Sequence, residues 1–322
     1  MAFTLPKLPR DHFWLPKGFT ITPALPDTPP HPEPREPFYG RIIIPFAKLW
    51  MRRMQHLQVE IQHPERIPAT GGAVLAVNHT GYWDFVFGGI PAAYQGGRLV
   101  RFMAKKEIWD NPVAGPAMSG CRHIPVDRAD GAASVREATE RAAAGELIGI
   151  FPEATISRSF EIKEVKDGAA RIAHEAGVPL IPVVLWGSQR IWTKGRKPVW
   201  RPDKAQLIVS VREPVEVTGD AKAGAARLHD AMVAGLDEVR ARYDELYGPF
   251  PAGENWLPAS LGGSAPTLEE ATVKDRADAR KRREERAARE AEKAANPELA
   301  QQRKQPVRQS LWKSLWKKLL KR

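Results

Sequence analysis

Short apolar runs separated by longer amphipathic ones fill the middle of the chain. The apolar runs fall at Leu57–Ile61, Ala73–Val77, Leu99–Met103, Arg122–Val126, Leu147–Phe151, Leu180–Trp186 and Gln206–Val211. Runs this short, bounded by turn-forming residues, read as strands. Ala132–Ala144, Ala169–Ala176 and Ala223–Leu246 instead repeat apolar residues at three- and four-residue spacing and read as helices. Apolar strands alternating with amphipathic helices bury both faces of a sheet. The expected fold class is therefore α/β, a sheet of about seven strands covered by helices.

The flanks read differently. Residues 1–37 contain ten prolines, which remove donors and fix φ, so this arm is expected to be extended and to stay out of the core. From 39 to 55 the pattern predicts an N-terminal amphipathic helix, opening a domain over 38–247. Its apolar residues are Ile42, Ile43, Phe46, Leu49, Trp50 and Met54, with Arg41, Lys48, Arg52 and Arg53 beside them. Two readings stay open for it: a surface helix packed on the core, or a helix lying in a membrane interface. Residues 248–266 form a Pro/Gly linker, and 267–322 a tail that begins, at Leu268–Ala295, with a solvated helix or disorder.

Charge sharpens the picture of the tail. From Thr267 onward there are 17 Lys/Arg against 9 Asp/Glu, and before it 32 against 29. The basic character belongs to the tail, so nucleic acid is not an expected partner of the globular part. At 311–322, Leu311, Trp312, Leu315, Trp316, Leu319 and Leu320 form an apolar stripe flanked by lysines and Arg322, with Ser310 as N-cap. A helix this short is marginal in water and needs a surface to fold on. An anionic bilayer fits both its apolar and its basic faces, and the alternative is a groove on the protein itself or on a partner. The single cysteine, Cys121, rules out an internal disulfide and reads as a core thiol. No apolar signal core lies between Met1 and Lys17, and nowhere do 18 apolar residues run together. The expectation is a peripheral protein on the cytoplasmic face of the cell membrane.

Candidate chemistry begins at Asn78-His79-Thr80-Gly81-Tyr82-Trp83-Asp84, directly after the run Ala73–Val77. A neutral imidazole accepts a proton near pH 7, and a carboxylate on its other nitrogen fixes its tautomer. His79 and Asp84 have that spacing, although a solvated histidine and a helix-capping aspartate would share it. Three more blocks follow: Gly120–Arg128, ending Val126-Asp127-Arg128; Phe151-Pro152-Glu153-Ala154-Thr155-Ile156-Ser157-Arg158; and the strand Val178-Pro179-Leu180-Ile181-Pro182-Val183-Val184-Leu185-Trp186. Gly-x-Gly-x-x-Gly, Gly-Lys-Ser/Thr and Gly-x-Ser-x-Gly are all absent, which removes the usual support for nucleotide-dependent and serine-hydrolase readings.

In this order, the four blocks resemble the glycerophospholipid acyltransferase family, in particular the PlsC-like 1-acylglycerol-3-phosphate acyltransferases. The resemblance covers about Leu57 to Val217. It implies transfer of an acyl chain from acyl-CoA or acyl-carrier protein to a lysophospholipid hydroxyl, with no cofactor. His79 would be the base, Asp84 its orienter, and Arg128, Glu153 and Thr155 the acceptor pocket. Two positions depart from the family pattern. Ala154 stands where the family has Gly, so a turn with φ > 0 there would be strained. Ile156 stands where it has Arg, leaving Arg158 and Lys166 as substitutes for a phosphate-binding cation or as solvated surface charges. Gly81 is a candidate for close backbone approach, at a turn of the kind that supplies oxyanion donors. A metal set joining His123 and Glu153 to His79 and Asp84 is not expected, because the spacing is wrong. The alternatives are an acyltransferase for another lysolipid or glycolipid, and a catalytically silent lipid-binding protein.

Overall fold

A computed structural model describes residues 18–24, 28–53, 57–127, 131–199 and 205–295. Its strands are β1 (Phe19–Thr22), β2 (Gln58–Gln62), β3 (Ala73–Val77), β4 (Val100–Lys105), β5 (Ile124–Val126), β6 (Leu147–Ile150), β7 (Leu180–Trp186) and β8 (Gln206–Val211). They form one sheet in the order β1-β2-β8-β7-β3-β6-β4-β5. Neighbours run parallel except β7 and β8, so the C-terminal ends of β3, β4, β5, β6 and β7 share one edge.

Helices cover both faces, as the alternating pattern required. Along β3, Val74 and Ala76 enter one core while Ala73, Leu75 and Val77 enter the other. That is the period of two in a strand buried on both sides. The first core is closed by α4 (Gly131–Ala143), α5 (Gly168–Ala176) and α6 (Ala221–Tyr247), through residues such as Ala138, Ile172, Leu228 and Met232. The second is closed by α1 (Ile44–Arg53) and α2 (Asp84–Ala93), through Met51, Phe87 and Ile90. A π-helical turn, Tyr39–Ile43, leads into α1, and a short helix α3 (Ala114–Gly120) precedes β5. Beyond Leu268 the chain forms a separate compact unit, of which α7 (Leu268–Ala295) is described. The stripe at 311–322 lies outside the described residues.

Three features differ from the sequence reading. The proline-rich arm supplies an eighth strand: β1 pairs with β2, and Phe19 is buried. Farther along the arm, Glu33 and Glu36 pair with the buried guanidiniums of Arg98 and Arg101. A buried cation needs a nearby anion, and here the arm brings it, so proline content alone misjudged the segment. Thirdly, α2 and α3 had no amphipathic signature. α2 is apolar nearly all round and carries Gly88, Gly89 and Pro91. Gly88 is needed there, because a Cβ would come within 2.9 Å of the Val77 side chain.

Candidate active site

The site lies just past β3. Asn78 continues the sheet with its side chain: Nδ2 donates to the Leu185 carbonyl (3.1 Å) and Oδ1 accepts from the Leu185 N–H (2.8 Å). This fixes the strand end against β7 and sends the following turn out at the shared edge. His79 Nδ1 then sits 3.0 Å from Asp84 Oδ2. The same oxygen accepts from the Thr80 N–H (2.6 Å) and the Gly81 N–H (2.7 Å), while Oδ1 accepts from the Ser188 hydroxyl (2.5 Å). Asp84 is wholly buried and opens α2, where the helix N-terminus favours negative charge. A carboxylate at Nδ1 makes that nitrogen the protonated one and leaves Nε2 as the acceptor. Nε2 has no hydrogen-bond partner among the described residues. The ring stacks on Phe151 with centroids 4.1 Å apart, which holds it in place from one face.

Gly81 has the close approach expected of it, but to the protein itself. A Cβ there would fall 2.9 Å from the Trp192 carbonyl oxygen. Its N–H is already given to Asp84, so it is not a free oxyanion donor.

The third block packs beside this turn. Glu153 is buried, and its two oxygens accept the backbone N–H groups of His79 (2.8 Å) and Lys163 (3.1 Å). It thus ties the His79 turn to the 160s loop. Burial pushes its carboxyl up to about 7 against the opposing pull of those two N–H groups. The folded chain therefore holds a proton on Glu153 between its ordinary value of 4.5 and about 7, where the unfolded chain has lost it. This contribution to stability is complete below the lower value and is lost as pH rises through the upper. Relative to Glu153→Gln, the wild type should lose about 3 kcal/mol of stability between pH 4 and pH 8. Urea midpoints at both pH values measure this, and a difference independent of pH would contradict it.

Ala154 adopts φ 59°, the left-handed conformation that an alanine resists. The Phe151 carbonyl accepts from the Ala154 N–H across the turn (3.0 Å), so the strain is built into the block. For a non-glycine residue this costs about 1–2 kcal/mol, partly offset by the greater chain entropy of glycine. Ala154→Gly should therefore stabilise the protein by about 0.5–1 kcal/mol in urea unfolding. No gain would mean that the turn does not carry the strain.

The remaining predicted site residues do not all converge. Thr155 is half-buried beside Glu153, and Ile156 is buried. Arg158 extends toward the 193–197 loop, its Nη1 3.6 Å from where a Gly195 Cβ would stand. Lys166 is exposed and pairs with Glu164 (3.1 Å), which places it on the solvated surface. Arg128 lies outside the described residues. His123 borders an apolar cavity, where its Nδ1 accepts from the Phe102 N–H (3.0 Å) and burial holds it down at about 3. Cys121 is buried too, its thiol pushed up to about 11, the reverse of an activated nucleophile.

Sequence reasoning missed the loop after β7. Ser188 bonds Asp84, the Thr193 hydroxyl donates to the Thr80 carbonyl (2.6 Å), and the Trp192 carbonyl accepts from the Tyr82 N–H (3.0 Å). No spacing marks these residues, and the only local signal was Gly187-Ser188 closing a buried strand. Also unforeseen is a cavity of about 310 Å³ between α1, α2, α3 and β4, walled by residues such as Ile44, Met51, Phe85, Ile90 and Met118. Stacked or edge-on rings lead to it from His79 through Phe151, Phe102 and Phe85.

Residues 58–186 match the family model described as Acyltransferase. The chain is 29% identical over 194 residues to the 1-acyl-sn-glycerol-3-phosphate acyltransferase of Bacillus subtilis (strain 168), covering 58% of this chain and 91% of that one. It is 28% identical to the chloroplastic 1-acyl-sn-glycerol-3-phosphate acyltransferase BAT2 of Brassica napus, over 51% of this chain and 48% of that one. The chain thus spans most of the bacterial relative and about half of the chloroplastic one. The fold resembles the crystal structure of the 1-acyl-sn-glycerophosphate (LPA) acyltransferase PlsC from Thermotoga maritima. That likeness has a TM-score of 0.52 at 22% identity and covers 62% of this chain and 80% of that one.

Proposed function

From the premise that this chain is a PlsC-like acyltransferase, we propose that it transfers a fatty acyl chain from an acyl thioester to the free hydroxyl of 1-acylglycerol-3-phosphate. The observation that carries this reading is the oriented pair: His79 Nδ1 held at 3.0 Å by a wholly buried Asp84, at the end of a strand, with Nε2 unengaged by the described residues. Nε2 takes the proton of the acceptor hydroxyl as its oxygen attacks the thioester carbonyl carbon. The C–S bond then breaks, an ester forms, and the imidazolium returns the proton to the departing thiolate. No covalent protein intermediate enters, and the transfer needs no cofactor beyond the thioester itself.

The surroundings support a lipid substrate. The apolar cavity under α1 has the volume and lining of a small-ligand site, and a chain of aromatic rings joins it to His79. On their outer side the π-helical turn and α1 expose Ile42, Phe46 and Leu49 to more than half. No helix among the described residues is long and apolar enough to cross a membrane. An exposed apolar stripe bordered by the exposed Arg41 suits a helix lying in an anionic bilayer surface, at the cytoplasmic face, from which acceptor and product reach the cavity. Introducing aspartate at both Phe46 and Leu49 should cut sedimentation with anionic liposomes at least severalfold, since each position loses apolar burial and gains a repelled charge. Unchanged sedimentation would remove α1 from the membrane contact.

Purified protein supplied with labelled acyl-CoA or acyl-carrier protein, against a panel of lysolipids, tests the reading. Phosphatidate formed from lysophosphatidate in preference to other products is the expected result. Turnover confined to another lysolipid or a glycolipid would replace the acceptor, and no turnover with any of them would favour a lipid-binding protein.

A further inference from the structure

A second cavity, of about 330 Å³, lies between the loop 189–199 and Asn255–Trp256. Two half-buried guanidiniums line it. Arg190 Nη1 donates to Gln206 Oε1 (2.8 Å) and to the Tyr243 hydroxyl (2.7 Å), with its Cζ 4.5 Å over the Trp256 ring. Arg196 Nη1 donates to Asn255 Oδ1 (2.6 Å) and Nη2 to the Asn255 carbonyl, with its Cζ 5.7 Å over Phe160. Every one of these partners is neutral. Elsewhere the buried guanidiniums of Arg98, Arg101 and Arg240 each meet a carboxylate, from Glu33, Glu36 and Glu161. Among the described residues Arg190 and Arg196 meet none, and the exposed Lys197 adds a third positive group at the rim. Positive charge partly removed from water and left without a counter-charge is costly unless an anion arrives.

The cavity is joined to the catalytic turn. Its wall includes Trp192 and Thr193, which bond Tyr82 and Thr80 beside His79. The sheet order then decides which anion it serves. β3, which carries His79, has β7 on one side and β6 on the other, followed by β4 and β5. The cavity follows β7. Of the segments implied for the acceptor's phosphate, the one after β6 reaches this loop, with Arg158 Nη1 beside Gly195 and Phe160 under Arg196, whereas the one after β5 stands three strands, about 14 Å, from β3 on the opposite side. One phosphate cannot occupy both flanks, but the reaction has two phosphate-bearing substrates.

Resting on the acyl-transfer reading above, we infer that the cavity of Arg190, Arg196 and Lys197 is an anion subsite for the acyl donor, taking a phosphate of coenzyme A or of carrier-bound phosphopantetheine. The test separates donor from acceptor. Steady-state kinetics with acyl-CoA and lysophosphatidate varied independently are run on the wild type, Arg196→Gln, Arg196→Lys and Lys197→Gln. Calorimetric titration with CoA, and with 4′-phosphopantetheine for a carrier-bound donor, needs no turnover. Arg196→Gln should raise the donor KM and weaken binding of the probe about tenfold or more, the loss of one charge-assisted hydrogen bond. Arg196→Lys should restore much of this, Lys197→Gln should show a smaller loss, and the acceptor KM should stay unchanged. Because Lys197 is exposed, its variant keeps the test open if Arg196→Gln fails to fold. A raised acceptor KM with donor binding intact would overturn the donor assignment, and no change in either substrate would overturn the subsite. Loss of CoA binding on Arg196→Gln, with no turnover even by the wild type, would uphold the subsite while removing the acyl-transfer reading.

Discussion

His79→Ala is expected to lower kcat for acyl transfer by about 10²–10⁴ while the protein stays folded. Among the described residues the imidazole makes one hydrogen bond, to Asp84, and one ring contact, to Phe151. The backbone anchors of the turn survive its removal: the His79 N–H still reaches Glu153, and the Ser157 N–H still reaches the His79 carbonyl. Asp84 keeps three of its donors, from Thr80, Gly81 and Ser188. The loss therefore falls on proton transfer in the transition state, and KM for either substrate should move little. Circular dichroism and a thermal midpoint check the fold. A variant with wild-type kcat would show that the hydroxyl finds its base elsewhere.

Asp84 divides into two expectations, one structural and one chemical. Asp84→Ala leaves the Thr80 and Gly81 N–H groups, the Ser188 hydroxyl and the His79 ring without their acceptor in a place water does not reach. The expected cost is about 3–5 kcal/mol, much of the stability of an ordinary domain. Asp84→Asn is milder. Its amide oxygen can take the Oδ2 position with its three donors, and its NH₂ can face Ser188, whose hydroxyl turns to accept. The fold should survive with the histidine oriented, but a neutral amide cannot steady the imidazolium, so kcat should fall at least ~10²-fold. Unfolding in urea together with kcat for both variants separates orientation from charge. Equal activity for asparagine and aspartate would make Asp84 a structural residue only.

How much of this was legible in the chain depended on range. The strands were readable because each is a short apolar run, and β3 and β7 are buried along their whole length. The His79–Asp84 pair was readable because both members sit on one turn, and the strain at Ala154 because a single position carries it. What could not be read depends on residues distant in sequence. The fourth donor to Asp84 is Ser188, 104 residues away, and the partner of Glu153 is the backbone of His79, which no side-chain pattern announces. Glu153 stands in a block implied to hold the acceptor, yet its carboxylate is occupied by the chain itself. The arm was misread for a related reason: Glu33 and Glu36 matter only because Arg98 and Arg101 are buried opposite them. Ile156, the departure that left the phosphate partner open, is buried. Among the described residues, Arg190 and Arg196, in the loop after β7, are guanidiniums bonded to neutral partners instead.

The central claim is direct, histidine-assisted transfer between two bound substrates. A rapid-quench experiment followed by intact-protein mass spectrometry tests it most closely, with acyl-CoA added first alone and then with lysophosphatidate. The expected result is no change in protein mass with the thioester alone, then phosphatidate and free CoA in equal amounts once the acceptor is present, with formation lost in His79→Ala. A protein heavier by one acyl group before the acceptor arrives, or phosphatidate formed as fast by His79→Ala, would contradict it.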